Sequence, residues 1–336
     1  LHDALPISNS AKDRLLKVYN PYIDDLMDSA GKYFYIINKD YPSHIGILDI
    51  LKYLRKADII YFNWIEKLAE KKGGFAQTMV LMAILNLLKL FRLEIVWTMH
   101  NKLTHSGKHE FWSKMIFKSM LKKSAVIITH SSEGIRFGES LVKGSHKKIN
   151  YIPHPAKDRR IDQSDSYRYD ILIWGSIAPY KGIHHFLKYL HENNLERRYR
   201  IMIVGKVSDR EYFDEITALA TSNITIEDEF ISNEKLVSLI NDSGIVLFTY
   251  SKDSILSSGV LMDSLGYGAN IVGPRVGAFA DLSKLNIIST FQTFDEMIPI
   301  IDKEMKVSPA ERSKKLDTFL AENTWDKFAE KLNKIL

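Results

Sequence analysis

The feature that most constrains this chain is a series of short, strongly apolar segments rich in β-branched and aromatic residues, each followed by a helix-like stretch. In the first half "LLKVY", "YFYIIN", "DIIYFN", "EIVWTM" and "AVIITH" read as strands. None alternates apolar and polar with period two, so each is expected to be buried on both faces. Amphipathic segments such as "IGILDILKYLRK" and "EFWSKMIFKSMLKK" lie between them. Strands and helices that alternate in this way form parallel sheets covered by helices.

The segment from Pro153 to Arg168, polar, charged and opened by two prolines, interrupts the pattern and reads as a linker. The alternation then restarts with "YDILIWG", "YRIMIVG", "ITIEDEF", "GIVLFTY" and "NIVG". The expected fold class is α/β: two Rossmann-like parallel-sheet domains, 9–152 and 169–320, facing a central cleft at the carboxyl ends of their strands. Residues 321–336 form an amphipathic helix, and crossing back to the first domain is one option for it. A chain of 336 residues has room for two such cores.

Composition narrows the chemistry. There are no cysteines, so disulfides, thiolate metal sites and thiol nucleophiles are excluded, which fits a reducing compartment. The start, "LHDALPIS", has no secretory leader pattern and is set aside from the fold argument. The most apolar stretch, Phe75 to Phe91, is too short and too interrupted to cross a bilayer and reads as a buried helix. The net charge of +5 allows anionic ligands, but no basic stripe with interleaved aromatics points to nucleic acid. No G-x-G-x-x-G follows a strand, which argues against a nicotinamide enzyme.

Two helix starts in the second half carry the chemistry. "YDILIWG" ends at Gly175, and Lys181-Gly182 opens the next helix. A lysine is out of place there on helix-dipole grounds, unless an anion held by backbone N–H groups offsets it. The bland alternative is a solvated lysine. After "GIVLFTY", Ser258 and Gly259 form a second helix start, with a good capping residue and a glycine that lets a ligand approach the backbone. Asp263, four residues on, shares that helical face and can accept hydrogen bonds from ribose hydroxyls. Two phosphate-compatible helix starts in one half-chain make a diphosphate the economical partner.

On these residues the chain resembles the GT-B glycosyltransferases of group 1 (family 4-like), over nearly its whole length. Gly175, Lys181 and Gly182 fit the family fingerprint, with Ser176 where arginine is common. "DSLGYGANIV" is similar to the family's second signature, with Asp263 in place of the second glutamate and Ile255 in place of the first. Aspartate is shorter by about 1.5 Å, so ribose contact needs closer approach. Without the first glutamate, donor-sugar contacts do not carry over.

The resemblance implies a retaining, metal-independent transfer of a sugar from a nucleotide-diphosphate sugar, a UDP-sugar being the expected donor, with no other cofactor. Gly175, Ser176, Lys181, Ser258 and Gly259 would bind the diphosphate, Asp263 the ribose, and Phe230-Ile231 the base. His100, ending "VWTMH", would face the donor sugar or the reacting centre, so His100 and Lys181 are the catalytic candidates. Asn20, Tyr22, Asn63 and Trp64 resemble acceptor-side loops, Trp64 offering a stacking surface for a sugar ring. The acceptor would be a saccharide or lipid-linked saccharide of the kind used in bacterial surface polysaccharide synthesis.

His100, His105 and His109 are poorly spaced for a metal, and "EDE" (227–229) reads as a solvated strand end. The basic helix with Phe111, Met115 and Leu121 to one side could rest on an anionic membrane, with the protein cytoplasmic and at most associated with the membrane's inner face. A nucleotide-sugar epimerase and a non-catalytic nucleotide-sugar binding protein remain open alternatives.

Overall fold

The computed structural model describes residues 3–7, 21–39, 46–70, 73–102, 110–161, 166–251 and 255–336. They form two compact units, residues 1–153 with 324–336 (unit 1) and residues 154–323 (unit 2). Each holds a six-stranded sheet whose pairings are all parallel. The fold class is therefore α/β with two Rossmann-like halves.

In unit 1 the strands are β1 (Asp3–Ile7), β2 (Tyr35–Ile36), β3 (Ile59–Asn63), β4 (Glu94–Met99), β5 (Val126–Thr129) and β6 (Ile149–Tyr151), in the order β2-β1-β3-β4-β5-β6. Its helices are α1 (Tyr22–Ala30), α2 (Gly74–Leu90), α3 (Glu110–Lys123) and α4 (Ser132–Leu141), with a 3-10 turn at Gly46–Tyr53. β1 lies within "LHDALPIS", the stretch that sequence reading set aside. Its Pro6 lacks the N–H a ladder uses, which hides a strand from pattern analysis. The expected strand "LLKVY" lies outside the described residues.

Two expectations about unit 1 are corrected. α2 is not buried all round: Leu81, Leu85 and Leu88 face the core, but Phe75, Met79 and Leu90 are exposed. On α3, Leu121 is fully buried while Phe111 is exposed, so Phe111, Met115 and Leu121 do not form one outward face. The core takes Ser113, Ile116, Phe117, Met120 and Leu121, which lie on the opposite side of the helix from Phe111.

In unit 2 the strands are β7 (Tyr169–Trp174), β8 (Ile201–Gly205), β9 (Ile224–Asp228), β10 (Ser243–Leu247), β11 (Ile271–Pro274) and β12 (Ser289–Phe291), in the order β12-β11-β10-β7-β8-β9. The order reverses at β7, so the carboxyl ends of β7 and β10 flank the switch point where such sheets bind ligands. The helices are α5 (Ile183–Glu192), α6 (Arg210–Ala218), α7 (Asn233–Asn241), α8 (Gly259–Gly266), α9 (Gly277–Lys284), α10 (Phe294–Glu304) and α11 (Pro309–Glu322). α5 buries Ile183, Phe186, Leu187 and Leu190, a single helical stripe. Side-chain caps from Asp209, Ser232, Thr293 and Ser308 start four of these helices.

Residues 154–161, read from the sequence as part of a linker, are bound to unit 2. The Arg159 amide donates to the Gly266 carbonyl at 2.7 Å, and Arg160 bonds Ser313 and Asp317. The final helix, α12 (Trp325–Ile335), packs on α1 in unit 1, burying Trp325, Phe328, Ala329 and Leu332.

Candidate functional site

Lys181 closes a short 3-10 turn (Pro179–Lys181) after β7, and Gly182, at φ +68°, turns the chain into α5. A side chain at 182 would be strained, and its Cβ would lie 2.4 Å from the Thr249 carbonyl oxygen. That close approach locks the turn to the end of β10: Thr249 Oγ1 donates to the Lys181 carbonyl at 2.6 Å, and the Ser251 amide to the Tyr180 carbonyl at 3.3 Å. Lys181 thus points inward. It is only 4% exposed, which excludes the solvated-lysine alternative.

The Lys181 amine donates to Tyr250 Oη at 2.9 Å and lies 4.8 Å from the centre of that ring. Tyr250 is 3.2 Å from Ser258 Oγ. Either hydroxyl of that pair can be the donor. Ser258 caps α8, its Oγ accepting from the Leu261 amide. Lys181, Tyr250 and Ser258 thus form one hydrogen-bonded chain that reaches the start of α8. Trp174, at the end of β7, fixes the same helix by donating Nε1–H to Ser264 Oγ at 2.9 Å.

Burial pushes the Lys181 ammonium below its ordinary value, and no carboxylate among the described residues pairs with it. Burial also raises the Tyr250 phenol, partly offset by Ser258, so it stays a proton donor near neutrality. A buried cation without a counter-charge is costly, and a bound anion removes that cost. Gly175, at φ +94°, borders the amine, since a Cβ there would lie 3.1 Å from both Lys181 Nζ and a Val260 methyl. Gly259 is open, with nothing within 4 Å of the Cβ position. Gly175, Lys181, Ser258 and Gly259 therefore converge in unit 2.

The other expected residues of unit 2 differ in their settings. Ser176 is exposed, its hydroxyl 3.1 Å from Tyr180 Oη. Phe230 is 67% exposed after β9, and Ile231 packs partly on the core. Ile255 is buried in that core. Asp263 is not free: Arg159 Nη2 donates to its Oδ1 at 2.5 Å. The acidic run at 227–229 is engaged by lysines, Lys235 bridging Glu227 and Glu229 while Lys206 holds Asp228.

In unit 1, His100 directly follows β4 and is 5% exposed. Its Nε2–H donates to Asn63 Oδ1 at 3.0 Å, which sets the tautomer. Trp64 stacks on the imidazole at 4.2 Å and 14°, and Tyr22 meets it edge-on at 4.9 Å. Trp64 holds φ at +51°, a left-handed conformation costing a bulky residue about 1–2 kcal/mol. Among the described residues Asn63 Nδ2 is a buried donor without an acceptor. Asn20, His105 and His109 lie outside the described residues, among which no three His, Asp or Glu side chains converge on a metal-sized site.

Sequence reasoning missed Tyr250, Arg159 and His130. Tyr250 lies at the carboxyl end of a predicted strand, a signal that position alone could have supplied. His130 Nδ1–H donates to the Ile152 carbonyl at 2.9 Å, so its Nε2 accepts the Tyr22 proton at 3.0 Å. No sequence pattern marks that pairing.

No protein-family profile matches the chain, and no curated protein matches it in sequence. Its structure is similar to that of Anabaena HepE, solved in complex with UDP-glucose, at a TM-score of 0.69 and 11% identity over 100% of both chains. It is similar to AviGT4, a glycosyltransferase involved in avilamycin A biosynthesis, at 0.61 and 13% over 100% of this chain and 97% of that one. An E. coli trehalose-6-phosphate protein bound with UDP-2-fluoro glucose aligns at 0.61 and 11% over 93% of this chain and 76% of its own. With two parallel Rossmann-like units matched end to end, the chain has the GT-B fold.

Proposed function

We propose that the chain is a glycosyltransferase that moves a sugar from a nucleoside-diphosphate sugar to an acceptor hydroxyl. The observation that carries this reading is the buried Lys181 amine, paired with no carboxylate among the described residues and joined through Tyr250 to the Ser258–Gly259 start of α8. The likeness to a fold solved with UDP-glucose, in Anabaena HepE, supports it.

As the bond to the anomeric carbon loosens, the sugar gains oxocarbenium character and the diphosphate gains charge. In this reading Lys181 and the first N–H groups of α8 stabilise that charge by preorganised electrostatics rather than through a metal ion. The configuration at the anomeric carbon is retained, and Asp263 takes ribose hydroxyls while Phe230-Ile231 meets the base. A UDP-sugar is the donor. His100, set by Asn63 and Trp64, orients a sugar hydroxyl or moves its proton. The acceptor is a saccharide or lipid-linked saccharide, met in the cytoplasm at the inner face of a membrane in bacterial surface polysaccharide synthesis.

Calorimetry with UDP and with uridine tests the reading. Lys181→Ala should weaken UDP by about 10- to 100-fold, the worth of a charge-assisted hydrogen bond, and leave uridine unchanged. Equal weakening of both ligands overturns it. Incubation with labelled nucleotide sugars then separates transfer from epimerisation, which returns an altered sugar nucleotide, and from binding alone.

A further inference from the structure

We propose that unit 1 docks on an anionic lipid bilayer through a face made by the Gly46–Tyr53 turn, α2 and α3. A helix on the surface of a globular unit ordinarily turns charged and polar residues outward. α2 does not: its exposed positions are Phe75, Ala76, Met79, Ala83, Asn86, Lys89 and Leu90. Phe75 is 58%, Met79 50% and Leu90 76% exposed.

The neighbouring elements extend this surface. α2 packs against both the turn and α3. α3 contributes Phe111, 70% exposed, and Trp112, whose ring lies 4.7 Å from Phe75 and 5.0 Å from Phe111. Leu48 and Leu51 of the turn are also exposed. Of twelve large apolar residues exposed among the described ones, six lie in these three segments (Leu48, Leu51, Phe75, Met79, Leu90 and Phe111), and Phe91 directly follows α2. Singly exposed apolar residues need no explanation, but a cluster of this kind marks an interaction surface.

Charge selects the occupant. The turn, α2 and α3 together carry six lysines against two acids, Asp49 and Glu110, a net +4 in a chain whose whole net charge is +5. A second copy presenting the same face would be repelled. An anionic bilayer accepts both features, taking the aromatic and aliphatic side chains at the acyl boundary while lysine heads stay among the phosphates. The basic side comes from α3, where Lys114, Lys118 and Lys122 are exposed beside Phe111. The apolar side comes mainly from α2, joined by Phe111 and Trp112 at the start of α3. This deepens the membrane part of the functional reading, yet docking needs neither nucleotide nor transfer chemistry.

Flotation of the full chain with vesicles, without nucleotide, tests it. The chain should bind phosphatidylglycerol-containing vesicles, release as salt rises, and ignore pure phosphatidylcholine. Lys114→Glu, Lys118→Glu and Lys122→Glu together should lower vesicle affinity on the order of 100-fold or more, at about 1 kcal/mol per lysine. Phe75→Ser with Met79→Ser should abolish stable binding at unchanged melting temperature, and vesicle addition should blue-shift an emission component that Trp112→Phe removes. Equal binding to neutral vesicles, no binding to either, or self-association abolished by Phe75→Ser and Met79→Ser would overturn the proposal. A chain that docks but fails to bind UDP would sink the transferase reading alone.

Discussion

Arg159 holds Asp263 by an Nη2–Oδ1 bond of 2.5 Å while its guanidinium carbon lies over the Tyr267 ring, 4.4 Å from the centre. The arginine backbone is tied to the same helix through Gly266, where a Cβ would meet the Lys157 carbonyl oxygen at 2.3 Å. The carboxylate expected to take a ribose is thus set in place from the segment ahead of β7. Arg159 acts as a positioning residue for it.

If Asp263 reads ribose hydroxyls, UDP should bind about tenfold tighter than 2′-deoxy-UDP, the worth of one hydrogen bond to a charged group. Asp263→Asn should erase most of that preference, and Arg159→Ala should reduce it by freeing the carboxylate, with Arg159→Lys intermediate. Calorimetry on the four proteins decides the point. A preference untouched in all three variants removes Asp263 from the ribose.

The Lys181 amine gives a pH signature. Its value is lowered in the folded protein from 10.5, so between the lowered value and 10.5 the unfolded chain holds more protons than the native one. This group's contribution to ligand-free stability therefore rises with pH across that window. Diphosphate binding favours the charged amine, so UDP affinity should fall as pH rises through the lowered value, with proton uptake on binding. Lys181→Met should flatten both dependences, as calorimetry in buffers of different ionisation enthalpy would reveal. Affinity for uridine should show neither.

Trp64 gives a third test, because its strained backbone and its stack on His100 are separable. Trp64→Gly relieves the positive φ but removes the ring, whereas Trp64→Phe keeps a smaller ring. If the stack orients His100, both variants should lower kcat for sugar transfer, glycine by up to about tenfold and phenylalanine less. UDP affinity should not change, since its candidate ligands all lie in unit 2. His100→Asn should cost about 100-fold or more if the imidazole moves a proton. Full activity in Trp64→Gly would reduce the stack to packing.

The two sheets were legible because parallel strands buried on both faces leave unbroken apolar runs, as at Ile59–Asn63 and Ile201–Gly205, which are buried throughout. β6 and β12 span only three residues each, too short for any periodicity, and β1 is disguised by Pro6. In the candidate site, Lys181, Ser258 and Gly259 could be picked out because glycines and a capping serine punctuate the chain where strands give way to helices. Tyr250 could not be assigned a role from the sequence, because its two partners lie sixty-nine and eight residues away. Arg159 sat in a polar stretch that resembled a tether, and its partner is 104 residues distant.

The seat of α12 on α1 has a consequence for biogenesis. During synthesis all of unit 2, residues 154–323, leaves the ribosome before the helix that covers Tyr22, Leu26 and Met27 exists. The amino-terminal half must wait with that greasy flank open, a natural client surface for chaperones, and a stop codon ahead of Thr324 would strand it in that state.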